Sequence, residues 1–170
     1  FSGGVQTSEF SLEADLKKEF KQAGYDENRL YKALNFNSVR PHTLISGLQL
    51  IGAMPQGTLV ENKGYSGVFY IYNVQSDEGI DSKKLEVSES FLHGDTAIQA
   101  YTEFINYYVE GLPATLERLK SAKGEPIVNI HWTTDKRDFS ISTFNLPLEQ
   151  AQAMAARLTQ QAQLLDAQIK

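Results

Sequence analysis

The chain has 170 residues, a formal net charge of −5 at pH 7 and no cysteine, and 41% of its residues are hydrophobic. Because compact domains usually have ~100–200 residues, we predict one domain over 1–170, preceded by a flexible segment at 1–10. The absence of cysteine excludes zinc fingers, thiol catalysis and a disulfide framework. The acidity argues against a nucleic-acid binder that relies on phosphate contacts.

Two helices are predicted near the start of the chain. The first begins at Ser11, whose hydroxyl can cap free backbone N–H groups, and it ends at Gly24. Its apolar side chains recur every three or four residues. The second helix is shorter and runs from Asp26 to about Asn35, ahead of the break at Arg40–Pro41.

Strands are predicted between residues 43 and 92, where the hydrophobic period changes from 3.6 to 2. Their expected ranges are 44–54, 58–61, 66–75 and 85–91, with turn residues between them. The segment 66–75 is apolar on both faces. This pattern indicates a strand in the interior of a sheet, or one covered on both sides.

The second half of the chain is predicted to contain a central pair of helices, a β-hairpin and a long C-terminal helix. The helix pair covers Asp95 to about Glu110 and then Pro113 to Lys120. The hairpin joins strands 127–134 and 139–144 through a polar turn. The last helix extends from Pro147 to about Gln168.

One face of the C-terminal helix carries small and apolar residues spaced alternately by three and four positions, including Ala155, Leu158 and Ala162. This seam can pack on the protein's own sheet. The alternative is a contact with a partner's helix or with a second copy of the chain, so a homodimer through this helix is a second interpretation.

Three residues are weak candidates for catalysis. His93 and Asp95 lie where a strand is predicted to lead into a helix, so the carboxylate could orient the imidazole. His131 belongs to a polar row with Asn129 and Thr133 on one face of a predicted strand. His42, beside Arg40, is expected to be an ordinary exposed loop histidine.

The sequence lacks the motifs that would identify an enzyme or a cofactor site. No histidine spacing typical of a metal site is present, and we find no nucleophile elbow, phosphate-binding loop or dinucleotide fingerprint. We therefore predict no metal and no cofactor.

Two surface features favour binding to another protein. Residues 76–95 contain six acidic residues, among them Asp77, Glu78 and Asp81, against two lysines, and such a surface could steer a basic partner. Tyr107 and Tyr108 are adjacent, and on a helix both could not point inward. We expect Tyr107 to reach an edge of the domain and contact the partner.

These features together predict an α+β domain with a mostly antiparallel sheet, on which N-terminal helices, a central helix pair and the C-terminal helix pack. The order of elements and the charge resemble those of small acidic secretion chaperones, which implies a sheet, flanking helices and a dimer. The predicted function is a non-enzymatic protein-binding module, such as an adaptor, chaperone, inhibitor or immunity protein. The alternatives are a hydrolase or lyase with a His/Asp pair at a sheet-edge groove, and a small-ligand carrier.

The compartment stays open. The first residue is Phe1 rather than Met, and an exported protein and a cytoplasmic one are equally compatible with this. No run of ~18 apolar residues is present, so no membrane span is expected.

Overall fold

The computed structural model describes residues 27–75, 83–92 and 104–168. In these residues seven strands form one antiparallel sheet. The strands are β1 (Leu48–Val60), β2 (Gly64–Val74), β3 (Lys83–Phe91), β4 (Tyr107–Val109), β5 (Leu112–Lys120), β6 (Pro126–Thr133) and β7 (Arg137–Phe144). The helices are α1 (Glu27–Lys32), a short 3-10 helix at Pro41–Thr43, and α2 (Leu148–Ala167).

The sheet has the order β1-β2-β3-β7-β6-β5-β4, so two meanders meet where β3 pairs with β7. Phe139 of β7 lies opposite Glu89 of β3 and Trp132 of β6, which places the three side chains on one face. We call this the inner face, because alternate residues of β7 are buried there. The opposite, outer face carries the half-exposed residues.

Two separate elements cover the inner face. Helix α2 packs against β4, β6 and β7 through residues that include Ala151, Met154 and Leu158. Helix α1 and the loop that follows it lie nearer to β1, and they add Leu30 and Val39 to the same core. The core is therefore one layer thick, between the sheet and these two covers.

The coarse prediction is confirmed: the protein has an α+β fold with an antiparallel sheet and a C-terminal helix. The predicted strands 127–134 and 139–144 correspond to β6 and β7, and the strand at 66–75 corresponds to β2, an interior strand. The predicted helix from Ser11 to Gly24 lies outside the described residues.

The prediction of helical structure at 107–120 was wrong, because these residues form the β4–β5 hairpin. The strand β5 pairs with β6 over Ala114 to Lys120 and so satisfies the backbone groups along that side of β6. A local helical preference cannot supply those hydrogen bonds, and the sheet contact overrides it. Most of the predicted helix that begins at Asp95 lies outside the described residues.

The first strand is longer than predicted. The expected turn at Pro55–Gly57 lies within β1, whose register against β2 shifts between Gln56 and Leu59. An irregularity of this kind lets a strand continue past residues that would otherwise end it. None of the described helices is long and apolar enough to cross a membrane.

The turn between β4 and β5 generates a stability prediction. Its two residues, Glu110 and Gly111, have φ values of 49° and 79°, as in a type I′ turn. Asparagine tolerates a left-handed backbone better than glutamate does. We expect Glu110→Asn to raise the free energy of unfolding by about 0.5–1 kcal/mol, measured by urea denaturation with Trp132 fluorescence. Glu61→Asn, at an exposed turn position with no positive φ, serves as the control. An equal change in both variants would contradict the assignment.

Candidate functional site

Polar side chains are grouped on both faces of the sheet. The inner network contains Ser38, Glu89, Arg137 and Asp166, and it lies between the sheet and its two covers. The outer row contains Asn129, His131, Thr133, Asp138 and Ser142 on β6 and β7.

Arg137 is the centre of the inner network, and only 1% of its side chain is exposed. Its guanidinium donates to Glu89 at 2.7 Å, to Asp166 at 2.8 Å and to the carbonyl oxygen of Asn37. Burial opposes the positive charge, whereas the hydrogen bonds to Asp166 and Glu89 raise the pKa of Arg137. The group therefore stays charged and connects α2 to the sheet and to the loop after α1.

Glu89 is completely buried, which raises the pKa of its carboxyl group, while Arg137 and the Ser38 hydroxyl counter this effect. Ser38 donates to Glu89 at 2.6 Å, and the Val39 N–H donates to both carboxylate oxygens at 3.2 Å. The Tyr70 hydroxyl lies 2.6 Å from Ser38 Oγ. Every carboxylate oxygen of Glu89 thus has a donor.

A second chain of contacts leads from the core to the surface at α1. The hydroxyl of Tyr72 lies 2.9 Å from His42 Nδ1, and His42 Nε2 lies 2.6 Å from a carboxylate oxygen of Glu27. The Tyr31 hydroxyl donates to the same oxygen at 2.9 Å. His42 is only 18% exposed, so the expectation of an exposed loop histidine was wrong. The strand β2 causes this, because it directs the Tyr72 hydroxyl towards the loop.

Sequence reasoning missed the charged residues of the inner network. The signal was present in the alternation of β3 and β7, where Glu89 occupies a position in phase with Leu85 and Val87. Arg137 is likewise in phase with the buried Phe139. The period of 2 places both charges inward, but their mutual contact spans 48 residues of sequence.

Removing the guanidinium should destabilise the protein strongly, because Glu89 would remain buried without its cation. We expect Arg137→Met to lower the free energy of unfolding by about 3–5 kcal/mol. Glu89→Gln should cost less, since its amide oxygen still accepts hydrogen bonds. Lys123→Met, at an exposed position in the β5–β6 turn, is the control. Urea denaturation measures all three, and a loss below ~1 kcal/mol for Arg137→Met would contradict the role of the charge.

The outer row is held by hydrogen bonds between neighbouring strands. Asn129 donates to Glu117 of β5 at 3.0 Å and accepts from Ser142 of β7 at 2.6 Å. His131 Nε2 lies 2.7 Å from Asp138 Oδ1, and the Thr133 hydroxyl donates to the same oxygen at 3.1 Å. The polar row read from the sequence is therefore observed on one face, and a carboxylate joins it.

The contact with Asp138 determines how His131 titrates. This hydrogen bond raises the pKa of His131 above its ordinary value, although partial burial lowers it. Between the unfolded pKa of about 6.5 and the higher folded value, the native protein holds a proton that the unfolded chain releases. The stabilisation is therefore complete below about pH 6.5 and is lost as the pH rises through the folded pKa.

We expect an NMR titration to give His131 a pKa above that of an unstructured histidine. Asp138→Asn should return the pKa towards the ordinary value and should remove the associated fall in stability above neutral pH. Asp135→Asn, in the adjacent turn, should leave the titration unchanged because Asp135 does not contact the imidazole in the described structure. A His131 pKa equal in the wild type and in Asp138→Asn would contradict the assignment.

The outer face also carries exposed apolar side chains at the β4–β5 edge. The tyrosine that points outward is Tyr108, which is 61% exposed, whereas Tyr107 packs against the core. The expectation that Tyr107 is the outward-facing tyrosine was wrong. These residues form a strand, in which adjacent side chains point to opposite faces. Pro113 and Leu119 of β5 are exposed as well, and Leu119 is 47% exposed.

The other residues predicted to bind a partner have different positions. Ala155, Leu158 and Ala162 are completely buried in the protein's own core, so the seam of α2 packs on the sheet and offers no surface to a partner. Asp77, Glu78 and Asp81 lie outside the described residues. The catalytic candidates His93 and Asp95 lie outside them too.

No three metal-ligating side chains converge within 27–75, 83–92 and 104–168. Comparisons with protein-family models, with curated proteins and with solved structures found no match.

Proposed function

We propose that this chain is a non-enzymatic protein-binding module whose contact surface is the outer face of β4, β5 and β6. The observation that supports this is the exposure of Tyr108, Pro113 and Leu119 on that face. Tyrosine is enriched among the residues that dominate binding energy in interfaces. A large aromatic ring left in water at an ordered hairpin is a suitable anchor for a partner.

The register of the strands places these residues on one surface. Tyr108 lies directly opposite Pro113, and Leu119 follows six residues along β5, roughly 20 Å away. The hydrogen-bonded side chains of Glu117, Asn129 and His131 lie on the same face. The surface thus has apolar groups at both ends and polar groups between them.

The polar part of this surface is already ordered before a partner binds. Asn129 is fixed by Glu117 and Ser142, and His131 is fixed by Asp138. Side chains that are held in place lose little conformational entropy on binding, which favours affinity. The net charge of −5 adds a preference for a basic partner, whose association would slow as salt screens the attraction.

A photo-cross-linking experiment tests this proposal. A photoreactive amino acid at position 108 should capture a defined protein partner that the same group at position 164 does not capture. Leu164 is a matched control, because it is also 61% exposed but lies on α2. The purified partner should then bind Tyr108→Ala/Leu119→Ser about thirtyfold more weakly than the wild type.

Leu164→Ser should leave that affinity unchanged. Identical adducts from positions 108 and 164, or wild-type affinity in the double variant, would contradict the proposed surface. Both variants replace exposed side chains, so circular dichroism should show the same folded structure in each.

A hydrolase is the second candidate function, and the His131–Asp138 pair favours it. The cross-strand neighbours of His131 are Thr115 and Ser140, so hydroxyl groups lie on both sides of an imidazole that a carboxylate orients. The two candidate functions predict different effects of replacing His131. An enzyme would lose turnover in His131→Gln, whereas the binding module would keep the contact made by Tyr108.

A further inference from the structure

Four exposed cations lie around α1 in a chain whose net charge is negative. They are Arg29 and Lys32 of α1, Arg40 of the following loop, and Lys63 of the turn between β1 and β2. We call them the basic surface. It lies apart from the outer face of β4, β5 and β6, so an inference about it does not rest on the function proposed above.

The fold brings these cations to one region. Arg29 and Lys32 are three residues apart on a helix whose Leu30 is buried, so both point to solvent on neighbouring positions. The β1–β2 turn reaches the end of α1, where the Tyr65 N–H donates to the Ala33 carbonyl at 2.8 Å. A side chain at Gly64 would clash with that carbonyl, its Cβ lying 2.5 Å from the oxygen. Lys63 is thereby placed beside the end of α1.

Arg40 is held in an unusual backbone conformation. Its φ of 51° is left-handed, which is uncommon and unfavourable for a residue with a side chain. Its N–H donates to Ser38 Oγ at 3.2 Å, and its carbonyl accepts from both the N–H and the hydroxyl of Thr43. Strain that the surroundings maintain in this way is concentrated at functional positions.

The side chain of Arg40 is also fixed. Its guanidinium carbon lies 3.7 Å from the centre of the Tyr31 ring, a stacked arrangement. Tyr31 is held by Glu27, which contacts His42, and His42 is held by the buried Tyr72. The guanidinium forms no hydrogen bond with any part of the chain that the structure describes, and Arg40 is exposed.

We propose that the basic surface binds the carboxylates of an acidic peptide segment, with Arg40 as the anchor. The planar guanidinium can donate two parallel hydrogen bonds to one carboxylate, and stacking on Tyr31 has already fixed its orientation. Glu27 forms no ion pair with Arg40 among the described residues, and one of its carboxylate oxygens contacts His42 and the Tyr31 hydroxyl. A short acidic peptide can confine its charge to these four cations, whereas a nucleic acid extends its phosphates over the rest of a chain whose net charge is −5.

Fluorescence anisotropy with a fluorescein-labelled hexaglutamate peptide tests this proposal, using the full chain. The wild type should bind this peptide, more weakly as salt is raised, and should bind hexaglutamine and hexathymidylate less tightly. Arg40→Asn should weaken hexaglutamate binding roughly tenfold. Its stability should equal or exceed that of the wild type, because asparagine tolerates a positive φ. Arg40→Lys keeps the charge but loses the planar guanidinium. Its affinity for hexaglutamate should lie between that of the wild type and that of Arg40→Asn.

Lys123→Gln removes one exposed cation from the β5–β6 turn and should leave the affinity unchanged. Three results would overturn the proposal. One is the absence of hexaglutamate binding by the wild type, and another is an equal loss in Arg40→Asn and Lys123→Gln. The third is tighter binding of hexathymidylate than of hexaglutamate, which would indicate a nucleic-acid surface instead.

Discussion

The buried guanidinium of Arg137 connects four parts of the chain that are distant in sequence. It belongs to β7 and binds Glu89 of β3, Asp166 of α2 and the backbone of Asn37 in the loop after α1. Removing two carboxylates and a guanidinium from water is costly, and the cost is offset only when all the partners are in place. The phenyl rings of Phe36 and Phe91, 5.7 Å apart and both close to the guanidinium, cover the remaining surface. Through Asp166 and Asn37, this arrangement joins α2 to the loop after α1, the two elements that cover the inner face.

The division of the two faces follows from this network. Because α2 and the loop after α1 are both fastened to the inner face, the small residues of α2 are used inside the protein. The outer face of β6 and β7 keeps its polar residues in contact with water, and the strands order them through hydrogen bonds. Such a surface is rigid and partly polar, with an exposed tyrosine ring at its edge, and these are the properties on which the proposed binding of a partner protein rests. The network of Arg137 thus holds both covers on the inner face, and the outer face keeps its side chains in contact with water.

The sequence predicts those parts of the fold whose evidence is local. The β6–β7 hairpin and α2 show clear periods of 2 and 3.6, and both were predicted within a few residues. The strand β5 was not, because Leu112 to Lys120 contains good helix formers and only its pairing with β6 makes it extended. This error determined the next one, since a helix would turn Tyr107 outward whereas a strand turns Tyr108 outward. The ion pairs of Arg137 join residues 48 and 29 positions away, so no local pattern could reveal them.

Ser38 joins the buried network to the basic surface. Its hydroxyl donates to Glu89, whereas its oxygen accepts from the N–H of Arg40, the residue with the left-handed backbone. The position of Ser38 depends on Glu89, and the charge of Glu89 is balanced by Arg137. An exposed arginine stacked on Tyr31 is therefore positioned by charges that no solvent reaches. Support of this kind holds the N–H donors of a surface arginine in one orientation. An unsupported arginine samples many rotamers, and fixing one of them on binding costs conformational entropy.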